Sequence, residues 1–587
     1  MFFRPGARHI IFYILILAVF AGNVPALPIP LSSSNPGNFS RRDSHNRLLG
    51  PAHPRPPRTY DVQHYTLRSR FDVANKTLIG DETVALKPLA AGFKSFELDA
   101  AAMQIESVTL DGSNKTLQWT QPPERLSIAL DRAYEPAETI SVQIKYRATS
   151  QQRGLFFIQH GSVGKGGTQD VQIWTQGEPE DNHLWFPCYD FPDDKATSEQ
   201  YITTGSNQIA ISNGQLLETT NNDDGTRTFH WKMDAPHSSY LMSFVVGDYV
   251  KLTDTYKNVS VEYYTYHGTE AQARRSFSKT PQLMELYSRL LNYEYPYTRY
   301  SQTIVSQFVF GGMENITSTT QADTEILRNV SDESPFSPNI LVAHELAHSW
   351  FGDLVTCKNW ANLWLNEGFA TFMEAVFIEE QRGHLAYLTE MRGNQYSYFN
   401  EDEVKYRRPL VYDRYQSPND LLDTTTYKKG AFVIHMLREQ VGDEAFWKAL
   451  NRYLNKYKYQ NVDSSDLQKV FEEVSGQKLD WFFEQWVYKA GYPELRVRSN
   501  YDERRKQLTL DVEQTQEADD ITPAVFRLAV DVDIITTGGT ITKRIEITGR
   551  SQRFIFDVNT RPQAVDFDRA LRIMKKLDLQ QPAAMAA

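Results

Sequence analysis

The sequence predicts a multidomain α+β protein with an N-terminal all-β domain, a mainly helical domain and a C-terminal β-sandwich. Three observations predict it. From about Tyr60 to Val250 apolar residues alternate with a period of two. From about Tyr256 to Ala490 their spacing becomes helical. Beyond residue 491 the alternation returns. A period of two marks strands and a period near 3.6 marks helices. The 587 residues allow about four domains at ~150 residues each.

The chain opens with Arg4 and Arg8, an apolar run from Ile10 to Ala21, and the small-residue step Val24-Pro25-Ala26. Basic, then apolar, then small is the order of a secretory signal peptide, here residues 1–26. The apolar run is short for a spanning helix, which needs about 20 residues, so an uncleaved anchor is the lesser reading. Residues 27–58 are rich in Pro, Ser and Arg without an apolar period, and predict a flexible linker. The expected location is outside the cell or at its envelope.

The first domain spans 59–252. Tyr65, Leu67, Ser69, Phe71 and Val73 fall on one side of a strand, as do Leu126, Ile128 and Leu130, and Ile140, Val142, Ile144 and Tyr146. Asp111-Gly112 and Asp224-Gly225 supply turns. So many strands exceed an ordinary sandwich and predict a large, curved, multi-sheet body. The helical domain spans 253–491. Ser337 as N-cap with Pro338 at the first helical position starts one helix, which Gly352 follows. A second runs from about Asn366 to Arg382, before Gly383, and others cover Lys429–Gln440, Asp443–Lys456 and Ser464–Val474. The last domain, 492–587, carries Leu508, Leu510 and Val512 on one strand face and Phe526, Leu528, Val530, Val532 and Ile534 on another.

Composition narrows the function. Hydrophobic residues make up 41% and aromatics 12%, which excludes a largely disordered chain. Lys+Arg 62 against Asp+Glu 73 leaves a net charge of −11, the wrong sign for a nucleic-acid binder. Two cysteines, Cys188 and Cys357, exclude a disulfide framework but leave one bridge open.

His344-Glu345-Leu346-Ala347-His348 is an H-E-x-x-H motif. On a helix His344 and His348 project from one face, where two imidazoles can bind one Zn2+. Glu345 then stands beside the metal as general base. Catalytic zinc takes three protein ligands and keeps one open position. Glu367, in Trp364-Leu365-Asn366-Glu367-Gly368, offers the third, nineteen residues after His348 near the start of the next predicted helix.

These residues carry a resemblance. The HELAHSWFGDLV stretch and the later LWLNEGFATF stretch resemble the zinc core of the aminopeptidase N family of gluzincin metallopeptidases. Gly311-Gly312-Met313-Glu314-Asn315 resembles that family's exopeptidase motif, about thirty residues before the zinc motif. Thr175-Gln176-Gly177-Glu178, Trp185-Phe186-Pro187-Cys188-Tyr189-Asp190 and Tyr427-Lys428-Lys429-Gly430-Ala431 resemble further family stretches, in the family's order.

The resemblance implies a saddle-like N-terminal β domain, a thermolysin-like catalytic domain and a zinc aminopeptidase acting on peptides with a free N-terminus. It implies Glu314 as the main anchor of the substrate ammonium and Glu178 as the second, within a substrate-binding motif that includes Gly311, Gly312, Met313 and Asn315. It implies Tyr427 as the hydrogen-bond donor to the oxyanion. Carboxylates suit the anchor task because charge-assisted hydrogen bonds are strong. The two glycines fit a strand whose backbone lies close to the substrate and pairs with it.

Ser349 and Asp353 stand where glutamine and asparagine are common in the family. The GGMEN spelling also occurs in the leukotriene hydrolase branch, which makes a bifunctional epoxide hydrolase one alternative. A zinc endopeptidase of the thermolysin type, with the same zinc chemistry but no amine anchor, and a catalytically inactive scaffold are the others. Larger relatives cap the site with a helical domain after the small β domain. The last residue of this sequence is Ala587, shortly after the small β domain, so the expectation is a more open site. Asn315 starts a glycosylation sequon inside the exopeptidase motif and is expected to be bare, whereas Asn75 and Asn258 are ordinary candidates.

Overall fold

A computed structural model describes residues 47–582, apart from 114, 161–169, 333 and 335–336. The predicted signal peptide and residues 27–46 of the predicted linker lie outside the described residues. The described residues form two compact units. The first holds Pro54–Trp360 and Leu454–Asp463, and the second holds 47–53, Ala361–Tyr453 and 464–582.

The first unit is built on an eight-stranded sheet. Its order is Gln215–Asn221, Thr226–His237, Ala196–Gly205, Tyr60–Asp72, Thr77–Pro88, Ile140–Thr149, Met103–Leu110 and Lys115–Thr116. The Tyr60–Asp72 strand runs parallel to Ala196–Gly205 and antiparallel to Thr77–Pro88. Alternation puts Val84 and Leu86 on the same buried side as Val142, Ile144 and Tyr146. Burying each such apolar side chain stabilises by about 1.5–3 kcal/mol.

Two local departures follow from physical causes. Tyr60 and Val62 are buried, and then Tyr65, Leu67 and Ser69. The parity switches because the register shifts between Val62 and His64, and one inserted residue turns every later side chain over. Val73, expected on that same face, is instead exposed in the turn beyond the strand end at Asp72. Gly80 sits in a strand interior because the Tyr146 ring, its cross-strand partner, lies where a Cβ would be.

Trp185 and Phe186 enter this core. Trp185 meets Phe244 edge-on at 5.3 Å, and Phe186 meets Tyr65 at 5.6 Å. Cys188 bridges backbone to backbone with Asp99. Its thiol is free and buried, so the open possibility of a Cys188–Cys357 bridge is not realised.

The region predicted to be helical begins with a five-stranded sheet. Its order is Val250–Tyr256, Val259–Thr265, Arg299–Val305, Ser318–Ala322 and the edge strand Gly312–Met313. This sheet is tied to the β domain. The Asn213 side chain donates to Ile316 O at 2.9 Å, and Arg299 donates to Ser212 O at 3.0 Å and Gly214 O at 3.1 Å. Arg299 also donates to Glu262 at 2.7 Å. Burial works to raise the Glu262 pKa, but Arg299 and Lys251 outweigh it and hold the carboxyl at about 2.

Helices Glu270–Phe277, Thr280–Leu291 and Pro338–Ala347 complete the first unit with the sheets. In the second unit the helices include Trp364–Arg382, His384–Val404, Gly430–Val441 and Ser464–Ser475. The 21-residue His384–Val404 helix has no counterpart in the sequence expectations. Its buried face includes Asn394, Gln395 and Asp402, so polar residues interrupt the apolar period. The C-terminal sheets have four strands (Ser551–Asp557, Gln507–Gln514, Glu494–Asp502, Lys576–Gln580) and three (Gly539–Ile547, Leu528–Thr536, Ala564–Phe567). The rows Leu508, Leu510, Val512 and Phe526 to Ile534 are buried as the alternation predicts.

His435 is fully buried between Tyr387 Oη at 2.7 Å and Leu571 O at 2.9 Å. Desolvation pushes its pKa down to about 4. His237 behaves alike, also at about 4. A folded pKa below the unfolded value near 6.5 means that the unfolded chain binds more protons between those values. Stability is therefore fully present above about pH 6.5 and falls as pH drops toward 4. Each histidine contributes a slope of up to about 1.4 kcal/mol per pH unit. Urea unfolding between pH 7 and 5 should show a shallower loss in His435→Asn than in the unaltered protein. An equal slope would contradict this assignment.

Candidate active site

The zinc-motif helix is Pro338–Ala347. Ser337 caps it, its side chain accepting from Asn339 N at 3.4 Å, and Pro338 fills the first position. His348 keeps helical angles as the last cap residue, and the chain then turns tightly to Gly352 rather than continuing as helix. Gly352 has φ +131°, and a Cβ there would come within 3.0 Å of His348 Nδ1. Both the backbone angle and the space require glycine.

His344, Glu345 and His348 are all buried. The two Nε2 atoms lie 3.1 Å apart. Two nitrogens bound to one tetrahedral zinc at ~2.0–2.1 Å would be about 3.3 Å apart. His348 Nδ1 is 2.9 Å from Phe351 O. A carbonyl only accepts, so Nδ1 carries the proton and Nε2 keeps its lone pair for a metal. The donor set fits zinc.

The strand Gly312–Met313 lies at the edge of its sheet, pairing with Gln321 and Thr320. Gly311 has φ +84°, and its carbonyl accepts from Ala322 N at 2.7 Å. A Cβ added at Gly312 would overlap the Glu345 carboxylate. The second glycine therefore makes room for the Glu345 carboxylate, a steric reason that spacing alone does not reveal.

Glu314 is buried with an oxygen 3.8 Å from His348 Nδ1. Glu314, Glu345 and His348 each bring a ligand atom within 4.8 Å of the others. Two carboxylates this close in a buried place favour a cation between them. Asn315 donates to Thr320 Oγ1 at 3.1 Å and is fully buried, so its amide serves the sheet.

Glu178 follows the strand Asp170–Thr175 and is buried. Gly177 precedes it because a Cβ there would meet Tyr240 O and the Asn182 side chain. Gln176 Nε2 donates to Met313 Sδ at 3.2 Å, tying this loop to the 311–315 stretch.

Lys195 is a neighbour that sequence reasoning missed. Its ammonium donates to Asp353 O at 2.8 Å and Leu354 O at 3.3 Å, so it holds the turn beyond His348. Burial pushes its pKa down to about 7. Asp353 is buried too, and desolvation, then the negative Glu314, push its carboxyl well above the usual range. An ordinary lysine in a polar loop carries no mark of this role.

Glu367 and Tyr427 belong to the second unit. Glu367 is buried in the first turn of Trp364–Arg382, and Glu374 is buried two turns later. Tyr427 lies half-buried in a π-helical turn, Thr425–Lys429, ahead of the Gly430–Val441 helix. Gly368 and Gly430 meet backbone to backbone: a Cβ on Gly368 would lie 3.1 Å from Gly430 Cα. The residue after Glu367 and the residue three after Tyr427 thus fix one element against the other.

Two family descriptions match the chain. The description "Peptidase M1 N-terminal domain" matches residues 61–241, and "Peptidase family M1 domain" matches 275–486. The chain belongs to the M1 peptidase family. Aminopeptidase M1-C of Oryza sativa subsp. japonica is 30% identical over 453 residues, covering 75% of this chain and 51% of that protein. Tricorn protease-interacting factor F2 of Thermoplasma acidophilum is 27% identical, covering 74% and 54%. This M1 chain therefore spans about half the length of the curated relatives it matches. The crystal structure of Legionella pneumophila aminopeptidase A in complex with aspartic acid shares the fold, with a TM-score of 0.77, 19% identity, and coverage of 91% of this chain and 61% of that one.

Gly312→Ala tests the steric reading. Displacement of the Glu345 carboxylate should lower kcat/KM at least about tenfold, while the melting temperature stays within a few degrees, since the change is one methyl at a sheet edge. Full activity in the alanine variant would show that Glu345 has room to spare.

Proposed function

We propose that this M1 chain is a zinc aminopeptidase that removes the N-terminal residue from peptides. The observation that carries the reading is the pairing of His344 and His348, with Nε2 atoms 3.1 Å apart, beside the buried carboxylates of Glu345 and Glu314. His344, His348 and Glu367 would hold one Zn2+, which supplies Lewis-acid polarisation of the scissile carbonyl.

The chain's own groups do the rest. Glu314 and Glu178 receive the substrate ammonium, which sets the distance to the first peptide bond and makes the enzyme an exopeptidase. The free backbone edge of Gly312–Met313 pairs with the extended substrate. Glu345 takes a proton from the attacking water and delivers it to the leaving amine. Tyr427 donates a hydrogen bond to the developing oxyanion. Retention of all these groups speaks against an inactive scaffold, and the amine anchor speaks against a purely endopeptidase role. The basic, apolar and small-residue order of 1–26 supports a secreted or cell-envelope location.

A panel of amino-acid 4-nitroanilides with Glu345→Gln tests the mechanism. Loss of a general base should lower kcat by about 10²–10⁴. Zinc content, measured by atomic absorption, should remain at one per chain in Glu345→Gln and fall in His348→Ala. An N-acetylated peptide should resist cleavage. Near-normal rates in Glu345→Gln, or equal cleavage of the acetylated peptide, would refute the reading.

A further inference from the structure

The π-helical turn that carries Tyr427 is held from below by one buried ion pair. Arg408 and Asp423 have side chains only 1% exposed. Arg408 Nε donates to Asp423 Oδ2 at 2.8 Å and Nη2 to Oδ1 at 2.5 Å, a two-pronged pair. The same Nη2 donates to Thr426 Oγ1 at 2.7 Å. Asp423 Oδ1 accepts from Thr426 N at 2.9 Å, and Asp423 O accepts from Tyr427 N at 3.1 Å. Tyr406 Oη donates to Asp423 Oδ2 at 3.0 Å. The remaining Arg408 nitrogen is committed to Pro409 O at 3.0 Å and Leu410 O at 3.2 Å.

Asp423 thus caps the turn with side chain and backbone together, and Arg408 fixes the direction of that carboxylate. Thr425, Thr426 and Lys429 are buried around Tyr427, which alone with Lys428 is half-exposed. A π-helical turn is uncommon and needs such outside support. We infer that Arg408 and Asp423 are positioning residues for Tyr427, orienting its hydroxyl by clamping the turn at Thr426 and at the Tyr427 amide. This rests on the proposed role of Tyr427 as the oxyanion donor.

A neighbouring pair supplies the control. Arg407 and Asp402 are also buried and bidentate, at 3.0 and 2.6 Å, yet Asp402 makes no hydrogen bond to the 425–429 turn among the described residues. Asp402 reaches that turn only through its charge at Lys429, so its loss should lower stability without releasing the Thr426 and Tyr427 amides.

The test is a double-mutant cycle on the zinc-loaded full chain, with kcat and KM read separately on a 4-nitroanilide. Asp423→Asn should lower kcat by about 10- to 100-fold, within the loss expected for one oxyanion donor. KM should change less than about twofold. In a Tyr427→Phe background the same substitution should change kcat less than about twofold, since the hydroxyl being positioned is gone. Breaking a buried pair threatens folding. Thr426→Val, which removes one acceptor and keeps shape, is the milder variant and should show a smaller loss with the same dependence on Tyr427.

Hydrogen exchange supplies a readout independent of turnover. The Thr426 and Tyr427 amides should exchange faster in Asp423→Asn but not in Asp402→Asn. Equal loss of kcat in the tyrosine and phenylalanine backgrounds, or unchanged exchange at the two amides, would overturn the clamp alone. Full kcat in Tyr427→Phe would overturn the reading of the site and the clamp with it.

Discussion

A missing side chain at residue 312 is the constraint on which the placement of the Glu345 carboxylate depends. The Glu345 carboxylate occupies the volume that any Cβ there would claim. In the role proposed for Glu345, a proton-transferring group must sit within about 3 Å of the atoms it serves, which a close and bare strand permits. The same logic recurs at Gly352 beside His348. The polar side chains stay large, and the backbone around them is stripped to make room.

The surrounding polar contacts make that crowding durable. Phe351 O fixes the His348 ring, Lys195 gathers the carbonyls of the following turn, and Gln176 reaches Met313. Arg299 joins the five-stranded sheet to the β domain through the Ser212 and Gly214 carbonyls. Placement of Glu314 against the zinc motif is thereby a property of the whole first unit and not of one helix.

Much of this is legible in the sequence. Alternation locates the strands Ile140–Thr149 and Leu528–Thr536, because one face of each is apolar, although Phe526, read as part of the second, lies before its start. Chemistry singles out His344, Glu345, His348, Glu367 and Glu314 as candidates, because metal and amine recognition accept few residue types at few spacings, and the fold brings Glu314, Glu345 and His348 within 4.8 Å of one another. What escapes has identifiable causes. Arg299–Val305 and Ser318–Ala322 are buried on both faces, and the second is mostly polar, so neither alternates. The His384–Val404 helix hides its period behind Asn394, Gln395 and Asp402. Lys195 and the Arg408–Asp423 pair are ordinary residue types whose partners are set by tertiary folding.

The contact between Gly368 and Gly430 has a consequence for how such a chain can change over generations. A methyl added to either glycine would lie 3.0 to 3.1 Å from the backbone of the other. Neither partner has a side chain left to shorten, so a replacement on either side has to be absorbed by backbone movement of a few tenths of an ångström between the two elements. The tolerance of each position to change over generations is therefore set by the backbone of the other.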